Sequence, residues 1–470
     1  MRYFIAILLL LPMLLSALTL DECVKLAQEN NRELMRQREE IAKIDAEYNN
    51  VRGSLFPQIT LNAGYQLKWN RLPDSATGGL QSLSDMLHGS DDLNSATSND
   101  SLLIENDQSI AGFTDDAMGS MTPEQNQEET ALFGQIQLTQ VVFMGGELFN
   151  GLRVLDKVKT ITRKQYFLVE QDVIYNTKEM YYQTLLAGKV LRIQEDALTI
   201  AGQHLQQVTD AFDGGFVSEY NKLRAELEVE KLKPAVLQAR NNSELAMQAF
   251  KNHLGWKSGV LTLDNTVPET DNLPQFAELD SLLEEGLNNR AELKLSTISV
   301  EIEDVRYTIE KQNFLPDVFI TGEYNKFTAA TDFSIESEDF GDAWQIGLGV
   351  SMPLFTGFSN TARRAKTRHG LRQSKIAHEE LLQLLELDIR NSWLALEYAR
   401  QALEVQKKNI SLAQRGLEIA QARYDNSVGI QLEVFDAQLK QRSTRLEYEN
   451  ALYSLIIATE KMNKALGRKL

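Results

Sequence analysis

The chain is written twice. Leu20-Asp21, Asn30 and Glu33-Leu34 return as Leu279-Asp280, Asn289 and Glu292-Leu293, at an offset of 279 − 20 = 259 residues. Leu55-Phe56-Pro57, followed by Ile59, Leu61 and Tyr65, returns at the same offset as Phe314-Leu315-Pro316, followed by Val318, Ile320 and Tyr324. Further on, Phe143-Met144-Gly145 matches Phe355-Thr356-Gly357, Phe212-Asp213 matches Tyr424-Asp425, and Leu254-Gly255 matches Leu466-Gly467, all at 355 − 143 = 212. The first copy therefore holds 259 − 212 = 47 additional residues between Tyr65 and Phe143. That interval contains the one low-complexity stretch, residues 73–130, rich in Ser, Asp, Asn and Gly and devoid of Lys and Arg. An insertion confined to one polar segment is what a surface loop tolerates, so it reads as an exterior loop. Its acids lack a DxDxDG spacing, so it reads as solvated rather than calcium-binding. The domain reading follows: a leader at 1–17, a first repeat at 18–255, a linker at 256–276 and a second repeat at 277–470.

Within each copy two segments alternate in polarity. Ile59, Leu61, Tyr65, Leu67 and Trp69 face one way, and Gln58, Thr60, Asn62, Gln66 and Lys68 the other. Trp344, Ile346, Leu348 and Val350 alternate with Gln345, Gly347, Gly349 and Ser351, and residues 132–142 and 318–327 show a weaker form. The same period suits a half-buried strand of a soluble sheet. Two features favour lipid instead. Each run is close to the ~9–11 residues of a tilted membrane strand, and aromatic residues (Trp69, Trp344, Phe56, Phe143, Phe314, Phe355) cluster near the run ends, as in an aromatic girdle. Four strands cannot close a barrel, and an open sheet edge is not tolerated in lipid. Membrane-spanning strands therefore force several copies to share one barrel.

The rest reads helical. Gly145 to Phe212 and Gly357 to Tyr424 are each 212 − 145 = 67 steps long, roughly 100 Å of helix at 1.5 Å per residue. Leu20 to Ser54, Tyr220 to Leu254 and Leu432 to Leu466 are each 54 − 20 = 34 steps, so two short helices match one long one. In the last segment Leu432, Leu439, Leu446 and Tyr453 repeat every seventh residue, with Phe435 and Ile456 three on, as part of a coiled-coil seam.

Several function classes fall away. A formal net charge of −18 gives no basic footprint for sequence-independent nucleic-acid binding. One cysteine excludes a disulfide framework, and the five histidines have no metal-ligand spacing, so no metal, cofactor or catalytic constellation is read. The opening, Arg2 followed by an apolar run from Phe4 to Leu15 and the small residues Ser16 and Ala17, reads as a secretory signal cut near Ala17. Cys23 reads as a helix residue rather than a lipid anchor, and no run of ~20 apolar residues follows. A periplasmic coiled-coil adaptor or structural protein is the alternative. It is set apart by the lipid-like strand face that precedes each long hairpin.

Four groups of residues, in their doubled order, resemble the TolC-like outer-membrane efflux factor family: Leu18-Thr19-Leu20-Asp21-Glu22; Leu55-Phe56-Pro57 with Phe314-Leu315-Pro316; Met352-Pro353-Leu354-Phe355-Thr356-Gly357; and Tyr424…Val428-Gly429…Glu433-Val434-Phe435-Asp436-Ala437. The similarity runs over nearly the whole mature chain. It implies a mainly α fold with a membrane β-barrel: a homotrimer whose chains give four strands each to one twelve-stranded barrel, continued by a periplasmic α-helical coiled-coil barrel closed at its tip. The implied function is a passive outer-membrane exit duct of a tripartite efflux or type I secretion system. Its implied partners are outer-membrane lipid, a periplasmic adaptor (membrane fusion) protein and an inner-membrane RND or ABC-type transporter. By position, Glu433, Asp436, Tyr424 and Asn221 match the family's gate, with Asn221 where the first-copy tip usually has Asp and Ser427 where the second usually has Gly. Gly429 stands where some members carry an Arg that ties the gate shut. Gly215, Phe216, Val217 and Ser218, with Val428, Gly429, Ile430 and Gln431, match the adaptor-facing turns.

Overall fold

The computed structural model describes residues 17–69, 128–270, 273–330, 340–426 and 428–470. The expected leader, nearly all of the 73–130 loop, and Ser427 lie outside them. The chain is mainly helical with one four-stranded sheet, and it divides into a helical unit (the chain up to Val51, Gly146–Asn313 and Phe355–Leu470) and a sheet unit (Arg52–Gly145 and Phe314–Leu354).

The sheet is an antiparallel meander of β1 (Gln58–Trp69), β2 (Glu128–Met144), β3 (Asp317–Ala330) and β4 (Phe340–Ser351), in that spatial order. Directly paired residues share a face, so the register tests the alternation read from the sequence. Leu61 lies opposite Ile136, Ile136 opposite Tyr324, and Tyr324 opposite Trp344. All four are exposed, Leu61 at 72% and Trp344 at 73%. The neighbouring row, Thr60–Gln137–Glu323–Gln345, is polar. On that face Asn62 Nδ2 donates to Gln135 Oε1 (3.2 Å) and Gln345 Nε2 to Glu323 Oε2 (2.7 Å). A register shift between Val141 and Phe143 makes Val142 a bulge residue near the end of β2. Strands β2, β3 and β4 begin before their alternating segments, and β4 starts three residues before Ala343, so Trp344 sits inside its strand rather than at its end.

The helical unit repeats the sequence offsets. After the short helices α1 (Leu20–Asn30) and α2 (Arg32–Gly53) come the long α3 (Glu147–Asp213) and the returning α4 (Glu219–Leu254). The second set is α5 (Leu279–Asn289), α6 (Ala291–Gln312), α7 (Ser359–Asp425) and α8 (Gln431–Ala465). Helices α3 and α7 have 67 residues each. Helix α1 opens on a capping box, with Thr19 and Glu22 each bonding the other's backbone N–H.

The continuous helix expected over Leu20–Ser54 is broken. Asn31 is extended (φ −66°, ψ 129°), and so is its counterpart Arg290 (φ −56°, ψ 120°). The physical reason is local capping that sequence periodicity does not register. Asn31 Oδ1 accepts from the Glu33 N–H (2.9 Å), while its Nδ2 donates to the His253 carbonyl at the end of α4 (3.0 Å). In the second copy the Arg290 guanidinium, nearly buried, bonds Asp388 and reaches the Lys464 carbonyl (3.4 Å). Gly255 (φ +67°) and Gly467 (φ +65°) close α4 and α8 against these breaks. A Cβ on Gly255 would stand 2.7 Å from the Asn30 carbonyl oxygen. The broken and returning helices thus abut, held by backbone contacts that only glycine permits.

Around the first junction lies a core of Cys23, Leu34, Tyr181, Tyr182, Phe250, Leu254 and Tyr453. Burial pushes the Cys23 thiol up to about 12. Tyr181 donates to the Asp264 carbonyl (2.7 Å), the Leu18 N–H donates to the Thr262 carbonyl (2.8 Å) and the Asp264 N–H to the Leu18 carbonyl (2.9 Å), so the linker is pinned to the segment that precedes α1. A second core gathers Leu282, Ile389, Leu396, Leu403, Leu455 and Met462. The seam read along α8 needs correction at its tip end. Leu432 and Leu439 are exposed, whereas Gln431 and Val434 are buried. The buried face passes through Gln431, Thr444 and Thr459, and a pattern search for apolar residues skips polar ones.

Candidate functional site

The two long hairpins of the helical unit end in related turns. In the first, Gly215 adopts φ +77° and the Phe216 N–H donates to the Ala211 carbonyl (2.8 Å), a glycine C-cap. In the second, Val428 and Gly429 both donate to the Arg423 carbonyl (2.9 and 3.0 Å). A Cβ on Gly429 would lie 2.9 Å from Arg423 Cβ and 3.1 Å from the Tyr424 nitrogen, so the turn is tight enough to require glycine there.

The side chains expected at the gate do not form one cluster within a chain. Tyr424 packs toward His204 of α3, with ring centroids 6.2 Å apart. Glu433 instead meets Arg423 (Nε–Oε2 3.3 Å), on the residue preceding Tyr424. Both partners are about half exposed, so water screens the pair and its contribution is at most about 1 kcal/mol. Asp436 is exposed and Asn221 half-buried, the latter's N–H donating to the Ser218 carbonyl (3.0 Å) at the start of α4. No group of three or more His, Cys, Asp or Glu among the described residues could hold a metal ion.

Among the turn residues, Phe216, Val428 and Ile430 are exposed large apolar side chains, Phe216 at 86%. Gly215 and Ser218 are exposed, and Val217 and Gly429 half-buried. Gln431 departs from its expected place on this surface. It is buried, its Nε2 lies 2.9 Å from His204 Nε2, and its Oε1 has no partner. The physical reason is that Gln431 opens α8 on the face that docks onto α3.

His204 was missed as a site residue. Its ring stands edge-on to Phe435 (centroids 5.1 Å, interplanar angle 88°), and burial pushes its pKa below the ordinary value. Gln431 Nε2 donating to His204 Nε2 requires the neutral ring. The available signal was its spacing from Ala201 and Val208, which places it on the buried stripe of α3. His204 thereby ties α3 to the ends of α7 and α8.

Of the stripe read as lipid-facing, Ile59, Leu61, Tyr65, Leu67, Trp344, Ile346, Leu348 and Val350 are exposed. The Trp69 side chain lies outside the described residues. No described helix is long and apolar enough to cross a membrane.

Residues 282–468 match the family model described as outer membrane efflux protein. The outer membrane protein TolC of Salmonella enteritidis is 22% identical over 352 residues, covering 73% of this chain and 70% of that protein. Among solved structures, CusC superposes with a TM-score of 0.71 at 17% identity, covering 96% of this chain and 92% of that one. The Campylobacter jejuni CmeC outer membrane channel also gives 0.71 at 17% identity, over 95% of this chain and 85% of that one.

Proposed function

From a chain that belongs to the TolC-like outer membrane efflux protein family, and so resides in the outer membrane with its helical part in the periplasm, we infer a passive exit duct of a tripartite efflux or type I secretion system. The observation that carries this reading is the sheet. It presents a continuous exposed apolar face (Ile59, Leu61, Trp344, Ile346, Leu348) backed by a polar face, and it has two outer strands, β1 and β4, each paired on one side only. In lipid those edges must be satisfied by another chain. Three copies pooling four strands each give a twelve-stranded barrel with a wet interior lined by Thr60, Gln137, Glu323 and Gln345. The long helices of the three copies enclose the periplasmic tunnel.

The tips are the narrow end of that tunnel. Exposed Phe216, Val428 and Ile430 suit docking to a periplasmic adaptor, and an inner-membrane RND or ABC-type transporter supplies the energy. Glu433 and Asp436, repeated by symmetry, make the constriction acidic and cation-preferring. A periplasmic adaptor role fits poorly, because a water-soluble adaptor has no use for an apolar sheet face of this extent.

The reading is tested by native mass spectrometry of the detergent-extracted protein and by planar-bilayer recording. The expected result is a threefold assembly with cation-preferring conductance. A stable monomer recovered without detergent overturns it.

A further inference from the structure

The strongest feature left without a role is a run of cations at the start of α7. From Ala343 to His378 the chain contains no Asp or Glu, yet it carries Arg363, Arg364, Lys366, Arg368, Arg372 and Lys375, in a protein of net charge −18. All six are exposed. Arg364, Arg368 and Arg372, four residues apart, form one stripe along the helix.

Nothing in the helix itself favours this arrangement. Like charges four residues apart repel, and the first turn has no acidic residue. Nor do carboxylates of the described residues pair with this stripe. Among the described residues, only Arg363 of the six is in an ion pair, with Glu310 at 3.9 Å. The first repeat contrasts with this: at the start of α3, Lys157 pairs with Glu301, and Lys159 with Asp45 at 2.7 Å. A stripe of like charges with no ion-pair partner among the described residues calls for an external anion.

Its place in the chain identifies that anion. β4 carries the exposed apolar residues Trp344, Ile346, Leu348 and Val350. The seven residues 352–358 that join it to α7 include exposed Leu354 (89%), Phe355 and Phe358, the two rings edge-to-face at 5.6 Å. The order along the chain is therefore lipid-type strand, exposed aromatics, then cations. That is the succession of hydrocarbon, interface and headgroup in a membrane. Seven residues alone separate the end of β4 from the first residue of α7.

Resting on the outer-membrane reading above, we propose that the Arg364–Arg368–Arg372 stripe binds the phosphates of anionic phospholipid headgroups at that surface. Helix α7 is thereby anchored on the leaflet side from which the periplasmic part projects.

The test uses the full-length assembly in detergent with an equal mixture of phosphatidylglycerol and phosphatidylcholine, the bound lipids being counted by native mass spectrometry. Wild type is expected to retain about fivefold more phosphatidylglycerol at low salt and to approach parity at high salt. The combined Arg364→Gln, Arg368→Gln and Arg372→Gln variant is expected to show parity at both. Parity in the wild type, or an undiminished excess in the variant, overturns the proposal. If the variant does not assemble, the salt dependence of the wild type decides alone. Wild-type parity together with loss of assembly in the variant assigns the stripe to carboxylates of a neighbouring copy instead. Assemblies that insert into phosphatidylcholine bilayers and conduct, but show no headgroup preference, refute the lipid site only. Failure to insert and conduct refutes the channel reading.

Discussion

Placing an arginine on either face of the sheet separates a membrane barrel from a soluble sheet. Leu61 belongs to the exposed row Leu61–Ile136–Tyr324–Trp344, and Thr60, its neighbour in sequence, to the polar row Thr60–Gln137–Glu323–Gln345. A lipid-facing arginine near the bilayer midplane costs about 2–4 kcal/mol. In a threefold assembly each substitution occurs three times, so Leu61→Arg costs roughly 6–12 kcal/mol per barrel, more than most assemblies of this kind can lose. Thr60→Arg puts the same side chain one residue away, on the water-filled face, two strands from the Glu323 carboxylate. It costs within about 1 kcal/mol. Heat-resistant oligomers on semi-native gels, with conductance in proteoliposomes, report both. Loss of oligomer in Leu61→Arg with retention in Thr60→Arg is expected, and Leu348→Arg behaves as Leu61→Arg. Equal assembly of the Leu61 and Thr60 variants refutes the assignment of faces, because a one-residue shift inverts every side chain of a strand.

Gly255→Ala forces a left-handed alanine and a Cβ against the Asn30 carbonyl oxygen, a cost of at least about 1–2 kcal/mol from the backbone alone. The thermal midpoint of the helical unit is expected to fall, whereas Gly416→Ala, at an open helical position, leaves it equal or higher. Replacing Glu433 and Asp436 by Ala lowers cation preference in planar bilayers. Arg423→Gln, which releases Glu433 from its pair, raises it, and unchanged selectivity in both removes these residues from the pore. Burial holds the pKa values of His204 and His253 down, so the unfolded chain takes up protons that the fold excludes. Stability is then full above the ordinary histidine pKa of ~6.5 and declines as pH falls below it. The thermal midpoint should drop between about pH 7.5 and pH 5.5, and His204→Gln with His253→Gln should flatten that slope.

The elements were legible because they repeat. Offsets of 259 and 212 align Leu20 with Leu279 and Glu147 with Ser359, which are the first residues of equivalent helices. Period-two alternation found the exposed stripe because successive side chains of a strand point to opposite faces. What was hidden depends on polar atoms at particular places. The helix breaks at Asn31 and Arg290 rest on one side-chain cap and one buried guanidinium, neither of which changes the apolar pattern. His204 and Gln431 are polar residues at core positions, satisfied largely by each other, so an apolar count passes over them. The Arg423–Glu433 pair joins residues on two helices across a turn whose geometry spacing alone does not give.

The repeat also shows where the two copies have parted. At the 212 offset Glu433 corresponds to Asn221 and Asp436 to Arg224, since 433 − 212 = 221 and 436 − 212 = 224. At these two positions only the second hairpin therefore carries carboxylates, although the turn of the first is flanked by Asp213 and Glu219, and Arg224 of the first lies 5.9 Å from the Phe435 ring of the second. In the proposed assembly of three chains, hairpins with and without carboxylates at these two positions would alternate. Like charges are then separated by a neutral or cationic neighbour instead of standing side by side, and their mutual repulsion falls with that added distance. A tip built from identical copies of the second hairpin would carry twice as many carboxylates at these two positions. On the proposed reading that Glu433 and Asp436 line the constriction, divergence of the copies would keep it acidic while spacing those carboxylates apart.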